Sequence, residues 1–237
     1  MQANDLKEQF DTKGFLVIPD VLDHETVAEL KETLSRVSLN ASVKHRKGSV
    51  FGVRNLLGLV PELAKFVKGE IIQNLATTLL GDEPKIARSI YFDKTANANW
   101  KVPWHQDLTI AVKDKREVPG FGPWTKKANV WHVQPSIDFL HPMVTLRFHL
   151  DDTDETNGAL KVIPGSQTKG RLSAKEIQAI RKGNEFVICS VKSGDCLAMH
   201  PLLLHSSTVS LQPRHRRIIH LEFSSAKLPD GLEWYEI

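Results

Sequence analysis

The part of the chain beyond Pro84 restricts the fold most. It is a series of short apolar or alternating runs, near residues 85–92, 144–150, 159–163, 185–191, 196–204 and 216–223. Gly158, Pro164-Gly165 and Gly194-Asp195 punctuate them. Parallel strands need long crossover connections, and most of these runs are separated by nothing helical enough to serve. An antiparallel sandwich or barrel follows. The one helix-like interruption, Ala174 to Lys182, is ended by Gly183.

The first third reads differently. Phe15 to Ile18 is a short apolar run, and Asp23 stands as an N-cap before Val27, Leu30, Leu34 and Val37, which recur at helical spacing. Further helical pattern runs from Pro61 to Val67 and from Glu70 to Leu80, where Gly81 suits a left-handed C-terminal residue. The expectation is a single domain over 1–237, mainly β with flanking helices, its N-terminal third helix-rich and its β core starting near 85. With 237 residues and 41% hydrophobic content, the chain has enough apolar material for one sizeable core.

Charge narrows the function. A formal net charge of +3, spread along the chain, gives no footprint for nucleic acid or lipid. No run approaches the roughly 18 apolar residues of a membrane span, and the start has no secretory layout. Cys189 and Cys196 are too few for a disulfide framework or a structural zinc site. These features fit a soluble cytoplasmic protein.

The chemistry-bearing residues emerge by spacing. In Trp104-His105-Gln106-Asp107 an imidazole and a carboxylate stand two apart, so on an extended segment they face one side and reach one ion. His200 and His205 are the candidates for a third ligand. His205 is favoured, because it ends the apolar Leu202–Leu204 run, whereas His200 precedes a strand-breaking proline. Arg216, after a turn-like segment, heads the last strand, where its guanidinium could approach the metal and hold a carboxylate in two-pronged fashion. Two imidazoles and one carboxylate on one face of Fe(II) leave adjacent positions open for oxygen chemistry. Zinc hydrolysis could use the same ligands without needing the arginine, and a ligand-binding barrel that has lost turnover is a third reading.

These motifs, with LDDTDETNGALKVIPGSQTKG at 150–170, the His205-Ser206-Ser207 to Arg216 spacing and the opening GFLVIPDVLDHETVAEL, resemble the phytanoyl-CoA dioxygenase family of iron- and 2-oxoglutarate-dependent oxygenases. The resemblance implies a double-stranded β-helix, a jelly-roll of cupin-like form. It implies that His105, Asp107 and His205 bind Fe(II), and that Arg216 and Ser207 share the distal carboxylate of 2-oxoglutarate. It further implies reaction with O2, conversion of the keto acid to succinate and CO2, and hydroxylation of substrate. Relatives that halogenate carry a small residue where this chain keeps Asp107, so hydroxylation is expected over halogenation.

Several pocket assignments stay open. Arg147 stands where the family has a large apolar or aromatic residue; it either enters the barrel to bind a carboxylate or pairs with Asp151 or Asp152 at the surface. In 85–92, either Arg88, Ile90 and Phe92 or Ser89 and Tyr91 face inward. Residues 111–136, rich in glycine and proline, read as a lid or pocket wall, or as a partly helical excursion; Trp124, Trp131 and His132 are its candidates for touching substrate. His141, His149, His215 and His220 read as surface or hydrogen-bonded histidines, and the two cysteines as buried apolar residues.

Overall fold

The computed structural model describes residues 3–36, 43–46, 49–229 and 231–236, and the side chains of 43–51 are left aside. Helix α1 (Ala3–Lys13) leads to strand β1 (Phe15–Ile18), and α2 (His24–Ser35) follows. Asp23 caps α2 as expected, its carboxylate accepting from the Thr26 backbone N–H at 2.8 Å. Then come β2 (Val43–Arg46), β3 (Ser49–Arg54), α3 (Leu56–Leu59), α4 (Leu63–Val67) and α5 (Glu70–Leu80). Helix α5 has the expected bounds, buries Ile72, Ala76 and Leu79, and closes on Gly81 at φ 79°.

The remaining strands are β4 (Lys85–Asp93), β5 (Val102–His105), β6 (Ile110–Val112), β7 (Trp124–Lys127), β8 (Val130–Val133), β9 (Met143–His149) and β10 (Leu160–Val162). After them come β11 (Val187–Cys189), β12 (Cys196–Met199), β13 (His205–Ser207) and β14 (Arg217–Ser224). Helices α6 (Ile137–Leu140) and α7 (Ala174–Gly183) interrupt the strands. A capping box between Ser173 and Glu176 opens α7. Gly183 is the last helical residue, and the chain leaves through extended Asn184 (φ −133°), so the glycine does not act as a left-handed cap.

Seven strands form the major sheet in the order β1-β12-β9-β14-β4-β3-β2, and four form the minor sheet, β11-β10-β13-β5. Every strand pair is antiparallel. The outer face of the major sheet carries Leu146, Phe148, Ile219, Leu221 and Tyr91, packed against apolar residues of α1, α2, α4 and α5. Leu197 and Met199 of the major sheet meet Leu160 and Val162 of the minor sheet in a second apolar layer. The architecture is a two-sheet jelly-roll core with helices on one face.

Two expectations change. The helix-rich first third also contributes β2 and β3, which extend the major sheet beyond β4. Residues 111–136 are not a helical excursion: β6-β8-β7 is a three-stranded sheet, which stands in the pocket wall through Lys127 and nearby Gln134. Its strands are three or four residues long, too short for a period to show in sequence. Among the described residues, no helix is long and apolar enough to cross a membrane.

Candidate active site

The pairing of β13 with β5 places His205 opposite His105, across one hundred residues of sequence. Just past the end of β5, Asp107 is held by its backbone N–H donating to Pro201 O at 2.8 Å. The intervening Gln106 turns the other way. Its Nε2 donates to Gly170 O and Leu202 O, each at 2.7 Å, and its Oε1 accepts from Leu172 N at 2.9 Å. Gln106 thus anchors the segment and leaves its two neighbours facing one side.

Both imidazoles are oriented from behind. Nδ1 of His105 lies 2.9 Å from Pro103 O, and Nδ1 of His205 lies 2.9 Å from Leu203 O. A carbonyl only accepts, so each Nδ1 carries the proton and each Nε2 keeps its lone pair. The rings are 4.1 Å apart, and their Nε2 atoms stand 3.9 and 3.5 Å from the Asp107 carboxylate. Burial lowers His205 to about 3, so it is neutral at physiological pH. Burial opposes the Asp107 charge, but the permanent cation of Arg88, 3.5 Å away, favours it, and the acid lies below the usual carboxylate range. One ligand atom from each of the three residues lies within 4.8 Å of the others.

Arg216 sits just before β14, fastened by backbone hydrogen bonds to Lys94 in both directions. Its guanidinium is buried and donates to Gly158 O and, at 3.3 Å, to Ser207 Oγ; its Nε has no partner. Ser207 Oγ donates to Gly158 O at 2.8 Å and accepts from Lys94 Nζ at 3.1 Å. Lys94 is fully buried, 5.2 Å from the Trp100 ring, and desolvation beside Arg216 pulls it down to about 7. Two cations and a hydroxyl converge in a place with no carboxylate partner among the described residues.

Arg147 enters the barrel. Its Nη1 contacts His220 Nδ1 at 2.7 Å, its Nε is buried and unpartnered, and Asp151 pairs instead with Arg217 and Lys31. Strand register settles the other choice as well, because Arg88, Ile90 and Phe92 line the cavity while Ser89 and Tyr91 lie on the opposite face. A polar chain runs from β14 through β4 to Asp107. His220 Nε2 lies 2.8 Å from Glu222 Oε1, Glu222 accepts from Arg88, and Arg88 stands 3.5 Å from Asp107. Asp107, His220 and Glu222 also cluster closely enough to suggest a cation site, but the Arg88 guanidinium already stands between the two acids.

A cavity of about 420 Å³ opens in front of these residues, lined also by Arg54, Trp100, Lys127 and Gln134. Trp124, Trp131 and His132 do not line it. The two tryptophans pack in the apolar cluster around the small sheet, and His132 is fully buried with Nδ1 3.1 Å from Val130 O. Pairing within β6-β8-β7 turns these three side chains into that sheet's own packing, and the segment offers Lys127 and Gln134 to the cavity instead. His200 turns away from the cluster, its Nε2 3.1 Å from His141 O. His149 contacts Thr153 Oγ1 at 3.0 Å, and His215 pairs with Asp93 at 2.9 Å. Arg88, Glu222, Lys94 and Arg54 were not singled out from sequence as site residues. Of these, only Arg88 stood among the alternatives left open by the alternation of 85–92.

The family model described as phytanoyl-CoA dioxygenase matches residues 10–217. Phytanoyl-CoA dioxygenase 1 of Oryza sativa subsp. japonica is 28% identical over 186 residues, 74% of this chain and 56% of that protein. L-proline trans-4-hydroxylase of Streptomyces griseoviridis is 24% identical, covering 93% of this chain and 85% of its own length. Ectoine dioxygenase of Bordetella bronchiseptica is matched over 48% of its length, so the chain spans about half of some curated relatives. Among solved structures, EctD from S. alaskensis with 2-oxoglutarate and 5-hydroxyectoine superposes with a TM-score of 0.75 at 19% identity, covering 100% of this chain and 80% of that one. The carbocyclase SnoK from nogalamycin biosynthesis superposes at 0.71 with 16% identity, covering 95% and 87%. These structures share the fold. With its model matched over most of the sequence, the chain belongs to the phytanoyl-CoA dioxygenase family.

Proposed function

We propose that the protein is an Fe(II)- and 2-oxoglutarate-dependent oxygenase that hydroxylates an unactivated carbon of a small molecule. The observation that carries this reading is the convergence of two imidazoles and one carboxylate within 4.8 Å. The donor set fits iron: both Nε2 lone pairs are free, both rings are held through Nδ1, and Asp107 supplies one negative charge. When bound, iron with 2-oxoglutarate would supply O2 activation at the cost of oxidising the keto acid to succinate and CO2. Arg216 and Ser207 bind and orient the distal carboxylate, for which the unpartnered Arg216 Nε is a ready donor. Asp107 keeps the place a halide would need, which favours hydroxylation over halogenation.

The test is succinate release from 2-oxoglutarate with Fe(II), in air and under anaerobic conditions. His105→Ala and Asp107→Ala are expected to abolish it, and Arg216→Gln to raise the KM for 2-oxoglutarate about tenfold or more. Turnover that survives removal of oxygen would assign a metal hydrolase instead. Tight binding of 2-oxoglutarate with no succinate under any condition would assign a binding protein.

A further inference from the structure

Among the described residues, five cationic side chains line the cavity, Arg54, Arg88, Lys127, Arg147 and Arg216, against one carboxylate, Asp107. Their commitments differ. Arg88 is neutralised by Glu222. In the proposed holoenzyme a divalent metal, Asp107, the 2-oxoglutarate dianion and Arg216 cancel. Arg147 donates to His220 Nδ1 at 2.7 Å and stands within electrostatic range of Arg216.

Arg54 stands apart from that group. It lies opposite Ile90 across the β3–β4 pair, while His220 and then Arg147 continue the same row on β14 and β9. Three inter-strand steps, about 14 Å, therefore separate the Arg54 and Arg147 backbones, and both side chains reach the same cavity. Among the described residues the Arg54 side chain makes no hydrogen bond or ion pair, although Asp107 and Glu222 lie within electrostatic range. Burial and the neighbouring Arg88 both work against its charge. A guanidinium partly withdrawn from water, beside another cation and without a partner, is a standing cost that an arriving anion removes.

We propose that the substrate of this site carries an anionic oxyacid group, a carboxylate or a phosphate, and that Arg54 recognises it. The proposal rests on the oxygenase reading for the place of 2-oxoglutarate. With Arg216 engaged by the cosubstrate, Arg147 by His220 and Lys127 in an interaction of its own, Arg54 is left for the substrate. Its planar fork suits two oxygens of one anion.

The experiment uses Mn(II) as an inert paramagnetic substitute for iron. Full-length protein is loaded with Mn(II) and 2-oxoglutarate, loading is followed by water-proton relaxation, and inorganic phosphate is titrated while its phosphorus relaxation is measured. Wild-type protein is expected to relax phosphate saturably. Arg54→Gln weakens that binding at least tenfold and Arg54→Lys less, with Mn(II) and 2-oxoglutarate loading and melting temperature unchanged in both. Competition with acetate then separates the sources: displacement of phosphate at lower acetate concentration assigns a carboxylate, and retention assigns a phosphate. No saturable relaxation in wild type, or equal relaxation in Arg54→Gln, overturns the role of Arg54. Failure of Mn(II) or 2-oxoglutarate to load overturns the oxygenase reading instead, and phosphate calorimetry on metal-free wild type and Arg54→Gln still judges Arg54 by the same comparison.

Discussion

Arg88 donates through Nε and Nη2 to Glu222 and through Nη1 to Thr109, and the same guanidinium faces Asp107 at 3.5 Å. A buried ion pair adds little to stability over an apolar pair of similar volume, but halving it strands a charge in the interior. Arg88→Met is therefore expected to destabilise the fold by about 3–5 kcal/mol in urea unfolding, because Glu222 is left buried. The double variant Arg88→Met/Glu222→Leu recovers much of that loss. Its affinity for Fe(II), measured anaerobically, stays about tenfold low because nothing holds the Asp107 carboxylate in place. Full iron affinity in the double variant would reduce Arg88 to a structural residue. At this scale the metal-binding candidates were legible as residue types at a spacing, whereas Arg88 and Glu222, 134 positions apart, meet only through the β4–β14 register.

The elements place these side chains, and the turn before β10 shows how tightly. Gly158 has φ +81°, and a Cβ there would stand 2.8 Å from Thr208 O and 3.0 Å from Lys94 Nζ. Its carbonyl accepts from both Arg216 and Ser207. Gly158→Ala is expected to cost about 1–3 kcal/mol through backbone strain and to raise the KM for 2-oxoglutarate while leaving Fe(II) affinity unchanged. A matched fall in both affinities would show that the strain spreads to the metal ligands. Elements with a long period or an explicit cap were readable in advance, as α5 and the Asp23 cap show. The run 196–204 was not one strand: β12 ends at Met199, and 200–204 bends before β13 begins at His205. Pro201 lies in that bend, where a missing N–H and a fixed φ favour leaving the ladder. Strands β6, β7 and β8 escaped notice because each exists by virtue of its partner.

Across the whole molecule, two sheets enclose a polar cavity between apolar layers, and the small third sheet carries a buried imidazole of its own. Burial lowers His132 from its ordinary 6.5 to about 4. Over that interval the unfolded chain binds a proton that the native state refuses, so stability is present above pH 6.5 and is lost as pH falls toward 4. Between pH 7 and pH 5 this one residue contributes a loss of about 2 kcal/mol. Urea unfolding of His132→Gln at the two pH values should show a correspondingly shallower acid slope; an unchanged slope would mean that other groups govern it. The sequence alone determined the class of the fold, the sites of several caps and turns, and the spacing of His105, Asp107, His205 and Arg216, because periodicity, turn chemistry and ligand type are local properties. It could not say whether Arg147 or Arg88 turns inward, that Trp124 and Trp131 pack against their own sheet, or that Arg54 shares a row with His220. Those outcomes belong to the tertiary structure, because a strand's register decides which alternate side chains face the cavity, and register is set by partners distant along the chain.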